Sequence, residues 1–190
     1  RDQVFMFDTY RDTIGAALKK LGYSLNSSNP DEIEEAKQLL LEQRALVDPK
    51  YGVDNGTTMI ADGETAINMI WSGEGLNLQD EYPNLEYVVP KEGANFWIDS
   101  LCIPANAVNV NGAEKFINFI SDKESALRIA DEIGYTTPNK EARLEQDEHI
   151  RNNPNAYMTE EIMSRCELYT NLPLEVKQMY DEAWTQIKVN

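Results

Sequence analysis

Between Phe7 and Thr9 the hydrophobic period of the chain changes, and that change limits the folds open to it. Val4 to Phe7 is a short apolar run closed by Asp8, which predicts a strand. From Thr9 onward Ile14, Ala17, Leu18 and Leu21 recur at helical spacing until Gly22, so the strand delivers Asp8 to a helix N-terminus. Asn29-Pro30 opens a second helix with a cap residue and a first-turn proline. Asp31, Glu32, Glu34 and Glu35 fill its positive end as a solvated face, while Ile33, Ala36, Leu39, Leu40 and Ala45 point inward and Asp48-Pro49 ends the segment. A short helix is expected near Thr57 to Ala61. Ala66 to Trp71 reads as a mostly buried strand ending at Ser72-Gly73, Leu85 to Val89 as a strand closed by Pro90, and Asn95 to Ile103 as another, with Gly93 bending the chain between them.

Helices return at Ala113 to Ile120, with Phe116, Ile117, Phe119 and Ile120 directed inward, and at Glu124 to Ile133, which Gly134 stops. Thr136 to Asn139 is a turn, Gln146 to Asn155 a polar loop or short surface helix, and the last amphipathic helix runs from about Pro173 to Val189. Strands and helices therefore alternate, which makes the class α/β, with sites expected at strand ends. There is no internal repeat, no glycine-rich phosphate loop and no low-complexity tract.

The length of 190 residues fits one globular unit or two small ones. Against 33 acids stand 17 bases, a formal charge of 33 − 17 = 16 negative, and the bases are scattered among the acids. That distribution excludes a nucleic-acid surface, which needs clustered cations. It favours a cationic ligand, or serves only solubility. Enzyme signatures are missing: the single histidine, His149, lies in a polar stretch, and no serine has nucleophile-elbow surroundings, so the chain is expected not to be an enzyme. No metal or other cofactor is expected, since histidine and cysteine are too few and the acids do not follow helix-loop calcium spacing. Cys102, in an apolar run, is expected to be a buried free thiol, and together with Cys166 it leaves the redox compartment open. No run approaches the ~18 apolar residues of a membrane span. The start, Arg1-Asp2-Gln3, has no signal-peptide layout and no initiator methionine, as expected of a piece of a longer chain.

One cluster stands out. In Gly93 to Ser100, alternation along a strand puts Trp97 and Asp99 on one face. A ring face attracts a cation by about 0.5–2 kcal/mol, and a carboxylate accepts a charge-assisted hydrogen bond of about 1.5–3 kcal/mol, so the pair suits an ammonium group. The other reading is a core tryptophan and a turn or cap acceptor.

The same stretch resembles the spermidine/putrescine-binding proteins of polyamine ABC transporters. The resemblance lies in Val89-Pro90-Lys91-Glu92-Gly93, Phe96-Trp97-Ile98-Asp99-Ser100-Leu101 and Ile103-Pro104-Ala105-Asn106-Ala107. Lys20 to Ser24, Met69 to Gly73, Ala113 to Phe119 and Ile133 to Asn139 are similar in order and spacing, so the match covers residues 4–144 and returns in the last helix. The resemblance implies a type II periplasmic-binding-protein-like α/β lobe, a mixed sheet flanked by helices, from a two-lobed receptor that closes by a hinge. Residues 1–97 are then the first part of the second lobe, 98–143 a segment crossing to the first lobe, and 144–190 the return with the C-terminal helix, the first lobe being absent. The implied partners are a polyamine and the transmembrane permease subunits. The implied location is extracytoplasmic, membrane-associated through a lipoprotein anchor or a fusion outside these residues.

Residue by residue, Trp71 and Trp97 resemble aromatics that pack on the methylene chain, Asp99 an acid that holds an amino group, and Tyr135 a site tyrosine. Thr9 and Asp12 fall where the family has acids; Asp12 keeps the charge, and Asp8 is the nearest substitute for the one Thr9 lacks. Near the C-terminus a polar site residue is matched by Glu167, with Tyr169 as the other choice. Structural alternatives stay open: Trp71 as a core strand residue, Tyr135 as a cap contact, Asp8 as a helix cap. So do other ligands of the fold, such as putrescine alone, agmatine or another small cation, and a sensor domain. The connectivity further implies that the chain by itself exposes the apolar faces bearing Phe116, Ile117, Ile120 and Ile129, and dimerises, swaps segments or refolds those helices against the remaining lobe.

Overall fold

A computed structural model describes residues 1–189. In chain order the elements begin β1 (Val4–Phe7), α1 (Tyr10–Leu21), α2 (Pro30–Val47), β2 (Lys50–Gly52), α3 (Gly56–Ala61), β3 (Ile67–Asn68), α4 (Ser72–Glu81) and β4 (Asn95–Phe96). They continue with α5 (Val110–Ser121), α6 (Lys123–Ile133), α7 (Lys140–Glu145), α8 (Glu148–Arg151), α9 (Glu160–Met163), β5 (Glu167–Leu168) and α10 (Leu174–Val189). Two compact units form: residues 1–71, 88–97 and from Glu160 onward in the first, residues 72–87 and 98–159 in the second.

In the first unit β1 is the central strand of a parallel sheet ordered β2-β1-β3, with Met6 opposite Tyr51 and Val4 opposite Ile67. Phe5, Met6 and Phe7 are all buried, which is why the run is continuously apolar rather than alternating. Helices α1 and α2 connect β1 to β2, and α3 connects β2 to β3. The core joins α1, α2 and α10 through Ile14, Leu18, Ile33, Leu40, Tyr180 and Ile187. Gly22, at φ 84°, closes α1 in the left-handed conformation, and the Asn29 side chain accepts from the Asp31 N–H to cap α2. Tyr180 is fully buried and donates to the Ser27 carbonyl at 3.0 Å; burial pushes its hydroxyl up to about 12.

A second parallel pair, β4 with β5, belongs to the same unit, with Asn95 opposite Glu167. Gly93 precedes it at φ 94°, and a Cβ there would meet the Arg165 carbonyl oxygen at 1.9 Å, so only glycine lets the two segments approach. Glu167 ties β5 to the end of α1, accepting from Lys19 at 2.9 Å, Ser24 at 2.5 Å and the Leu25 N–H at 3.3 Å.

In the second unit α4 packs through bare backbone: a Cβ on Gly73 would strike the Tyr135 ring at 2.3 Å. Asp80 pairs with His149 at 3.1 Å, and Asn155 donates to the Tyr87 carbonyl at 3.1 Å. These contacts explain why residues 72–87 and 144–159 group with the second unit, where the sequence had placed them with the first.

Several strand and burial expectations are corrected. Ala66 to Trp71 pairs only at Ile67–Asn68, Ile67 is exposed, and Ser72-Gly73 starts a helix instead of ending a strand. Leu85 to Val89 alternates half-buried and exposed but has no ladder partner among the described residues, and Asn95 to Ile103 pairs only at its first two positions. The described pairings are all parallel, not mixed. Local apolar pattern reports extended backbone; a ladder also needs a neighbour, which is non-local information. On α2, Ala45 is exposed and Lys37 is buried instead, its stem in the core and its ammonium reaching Glu34 at 2.7 Å and Gln186 at 2.8 Å. Phe116 and Phe119 on α5 are exposed at 57% and 64%, and Cys102 is exposed while Cys166 is buried.

Burial alone would raise the Glu167 carboxyl, but the hydrogen bonds from Ser24, Lys19 and the Leu25 N–H outweigh it and hold the carboxyl below its usual value. A carboxyl depressed in the folded state stabilises fully above its unfolded pKa of about 4.3 and loses that contribution as pH falls through the lower folded value. Glu167→Gln is therefore expected to cost about 1–2 kcal/mol in denaturant unfolding at pH 7, and the gap to the parent sequence should close below about pH 4.

Candidate ligand-binding residues

Because β2 and β3 flank β1 on opposite sides, the strand order reverses at β1, and the carboxyl end of that strand is where open parallel sheets receive ligands. Asp8 and Thr9 lie at that end and Asp12 in the first turn of α1, where the helix dipole favours a carboxylate. Thr9 occupies the N-cap position without capping; its hydroxyl donates instead to Asp12 at 2.5 Å.

The other Asp12 oxygen accepts from the Tyr169 hydroxyl at 3.1 Å, which also lies 3.0 Å from the Arg11 carbonyl. Tyr169 follows β5 and packs close to Gly15 of α1, where a Cβ would lie 3.2 Å from the hydroxyl oxygen, a tight contact. Burial first, then the charge and hydrogen bond of Asp12, push this hydroxyl well above the usual tyrosine range, so it stays a neutral donor. The Arg11 guanidinium stacks 4.5 Å above its ring. Of the two C-terminal choices, Tyr169 is the one joined to Asp12, while Glu167 is engaged with Lys19 and Ser24.

Trp71 follows β3 and Trp97 follows β4, and their rings meet edge to face at 5.4 Å and 76°. Phe7, the last residue of β1, stacks on Trp71 at 4.5 Å and fixes its plane. The indoles thus form a corner, with Trp97 still 37% exposed. This joins the two tryptophans in the first unit. Asp8 does not cap α1: its carboxylate pairs with Lys188 of α10 at 2.8 Å.

The expected sharing of one strand face by Trp97 and Asp99 does not hold, since β4 ends at Phe96 and the boundary between the units falls after Trp97. Asp99 belongs to the second unit, exposed and without a hydrogen-bond or ion-pair partner among the described residues. Its charge, like that of Glu74, bears on Tyr135 in the same unit. Burial first, then the charges of Glu74 and Asp99, raise the Tyr135 hydroxyl above its ordinary value, which marks a negative potential in which that hydroxyl remains protonated.

Phe7, Glu74 and Lys188 were missed by sequence reasoning. Glu74 carried a usable signal, standing three residues after Trp71; Phe7 and Lys188 are placed only by long-range packing. Among the described residues no group of three or more His, Cys, Asp or Glu is placed to hold a metal ion, and no helix is long and apolar enough to cross a membrane. The first unit offers flat apolar walls and a carboxylate backed by neutral hydroxyl donors, features whose chemistry suits an alkyl ammonium group.

Comparison with known proteins finds related chains. The chain is 35% identical over 188 residues to the spermidine/putrescine-binding periplasmic protein of Salmonella typhimurium, covering 99% of this chain and 53% of the relative. It is 31% identical to a putrescine-binding periplasmic protein of Pseudomonas aeruginosa, covering 97% of this chain and 52% of that one. The solved substrate-binding protein of a spermidine/putrescine ABC transporter from Streptococcus pneumoniae superposes with a TM-score of 0.89 at 31% identity, over 99% of this chain and 58% of that one. The chain thus spans about half the length of the curated relatives it matches. With the model for bacterial extracellular solute-binding proteins matched over residues 2–158, the chain belongs to that family.

Proposed function

We propose that the protein bearing this chain is the solute-binding component of an ABC importer for polyamines such as spermidine and putrescine, working outside the cell and handing its ligand to permease subunits. The observation that carries the reading is the Trp71–Trp97 corner at the strand ends, in the same unit as an Asp12 carboxylate held by Thr9 and Tyr169. A polyamine alternates methylene runs with ammonium groups. Preset rings take the methylenes at little rotamer cost, and burying the ammonium groups requires matched acids. In the first unit Trp71 and Trp97 serve as the apolar walls, Asp12 as an ammonium acceptor, and Thr9 and Tyr169 as orienting hydroxyls; in the second unit, taken by itself, Asp99 serves as an ammonium acceptor and Tyr135 as an orienting hydroxyl. Membrane attachment through an anchor or a fused permease outside these residues fits the same role. A related small cation such as agmatine is the second reading, favoured by Thr9 standing where the resemblance implies an acid.

We also propose that this chain forms the second lobe together with the segment that crosses to the first. The exposed Phe119, Ile129 and Ile133 on α5 and α6 border a groove of about 450 Å³, Phe116 is exposed on α5 as well, and these faces support that proposal, since such faces are normally covered. Light scattering on the 190-residue segment alone should give a mass above the monomer, through pairing or segment exchange, and on the full-length chain a monomer. A monomeric segment that binds no hydrophobic dye would refute this.

The ligand is tested by tryptophan fluorescence on the full-length chain with spermidine, putrescine, agmatine and a basic amino acid. A saturable change with a polyamine is expected, weakened about 10- to 100-fold by Asp99→Asn, the size of one charge-assisted hydrogen bond. Silence with every amine would sink the polyamine reading.

A further inference from the structure

Lys188 places an ammonium group inside the chain's own version of an amine site. Its Nζ lies 2.8 Å from Asp8 Oδ2, 4.8 Å from the Tyr51 ring centroid and 5.6 Å from the Trp184 ring centroid. Tyr51 and Trp184 meet edge to face at 5.5 Å, so two aromatic faces and one carboxylate surround one cation. Tyr51 comes from β2, Trp184 and Lys188 from α10, and Asp8 from the end of β1 where the strand order reverses.

From this geometry we propose that Lys188 is a specificity-determining residue: as an internal ammonium it uses the Asp8 carboxylate, leaving the receptor one acceptor short for its ligand. The inference rests on the polyamine reading above. A carboxylate already paired with a cation at 2.8 Å offers a second cation little net charge, and bringing one beside Lys188 adds like-charge repulsion. With Thr9 uncharged at the neighbouring position, this end of the sheet retains Asp12 as the acid open to an amine. A diamine needs two acceptors and a triamine three, so the wild-type chain favours putrescine over spermidine, and Lys188 is what sets that order.

The test is calorimetric titration of the full-length chain with putrescine and with spermidine, in the wild type and in Lys188→Met, Lys188→Arg, Asp8→Asn and the Lys188→Met/Asp8→Asn double variant. Lys188→Met keeps much of the stem against the rings while freeing Asp8, and should shift the affinity ratio toward spermidine by about tenfold or more, the scale of one charge-assisted hydrogen bond. Lys188→Arg should leave the ratio within about twofold because the cation stays, Asp8→Asn uncovers the Lys188 ammonium and should move the ratio further toward putrescine, and the double variant should erase the Lys188→Met shift. An unchanged ratio in Lys188→Met, in a protein that still binds amines, overturns this proposal alone and makes the contact a surface ion pair. A Lys188→Met shift that survives in the double variant overturns it too, because the shift then does not run through Asp8. Absence of amine binding by the wild type overturns both this proposal and the functional reading beneath it.

Discussion

Burial of β1 on both faces is the constraint from which the rest of the first unit follows. A strand whose Phe5, Met6 and Phe7 are all inaccessible must be covered above, below and along both edges. Parallel neighbours satisfy the edges, and parallel neighbours require crossovers, which α1, α2 and α3 supply. Once β2 and β3 lie on opposite sides, the carboxyl end of β1 is left without a crossover above it. The chain then places Asp8, Thr9 and Asp12 there, with Trp71 at the end of the neighbouring strand.

At that end each acid has a defined state. Asp12 takes hydrogen bonds from neutral hydroxyls, Thr9 on one oxygen and Tyr169 on the other, which orient the carboxylate without cancelling its charge. Asp8 takes a lysine ammonium and is thereby neutralised. Glu167 takes both kinds, Ser24 and Lys19, and becomes a fastening between β5 and α1. In the second unit Asp99 keeps its charge, and its field with that of Glu74 reaches the Tyr135 hydroxyl. In a chain with a formal charge of 16 negative, the charge that matters for a cation is the part that no internal cation has claimed.

How much of this was legible depended on distance along the chain. The β1 to α1 transition, the Asn29 cap, the Gly22 and Gly134 stops and the last helix are encoded within a few residues, and the structure has them. The strands after Ala66 were overread, because an apolar run near Trp71 or Trp97 looks extended whether or not another strand reaches it. Ser72-Gly73 looked like a turn, yet Gly73 and Gly75 are helical and serve close packing on Tyr135 and Tyr87, which only the fold reveals. The aromatic corner was half legible: both tryptophans stood out, but Phe7, which locks Trp71, looked like ordinary core. That Tyr169 rather than Glu167 meets Asp12 was not legible, because the contact joins β5's end to α1 across 157 residues of chain.

Rings and acids impose different demands on a flexible cationic ligand. The Trp71 plane is set by its contacts with Phe7 and Trp97, so methylenes of the proposed ligand would meet a surface already ordered, at little entropy cost to the protein. Such a surface hardly distinguishes one amine from another, because a methylene run is common to all of them. Discrimination must come from the count and spacing of unpaired carboxylates, since an ammonium buried without a partner costs far more than a methylene misplaced. On the proposed reading, affinity is therefore carried by residues that were conspicuous in the sequence, and selectivity by which acids the fold leaves unpaired.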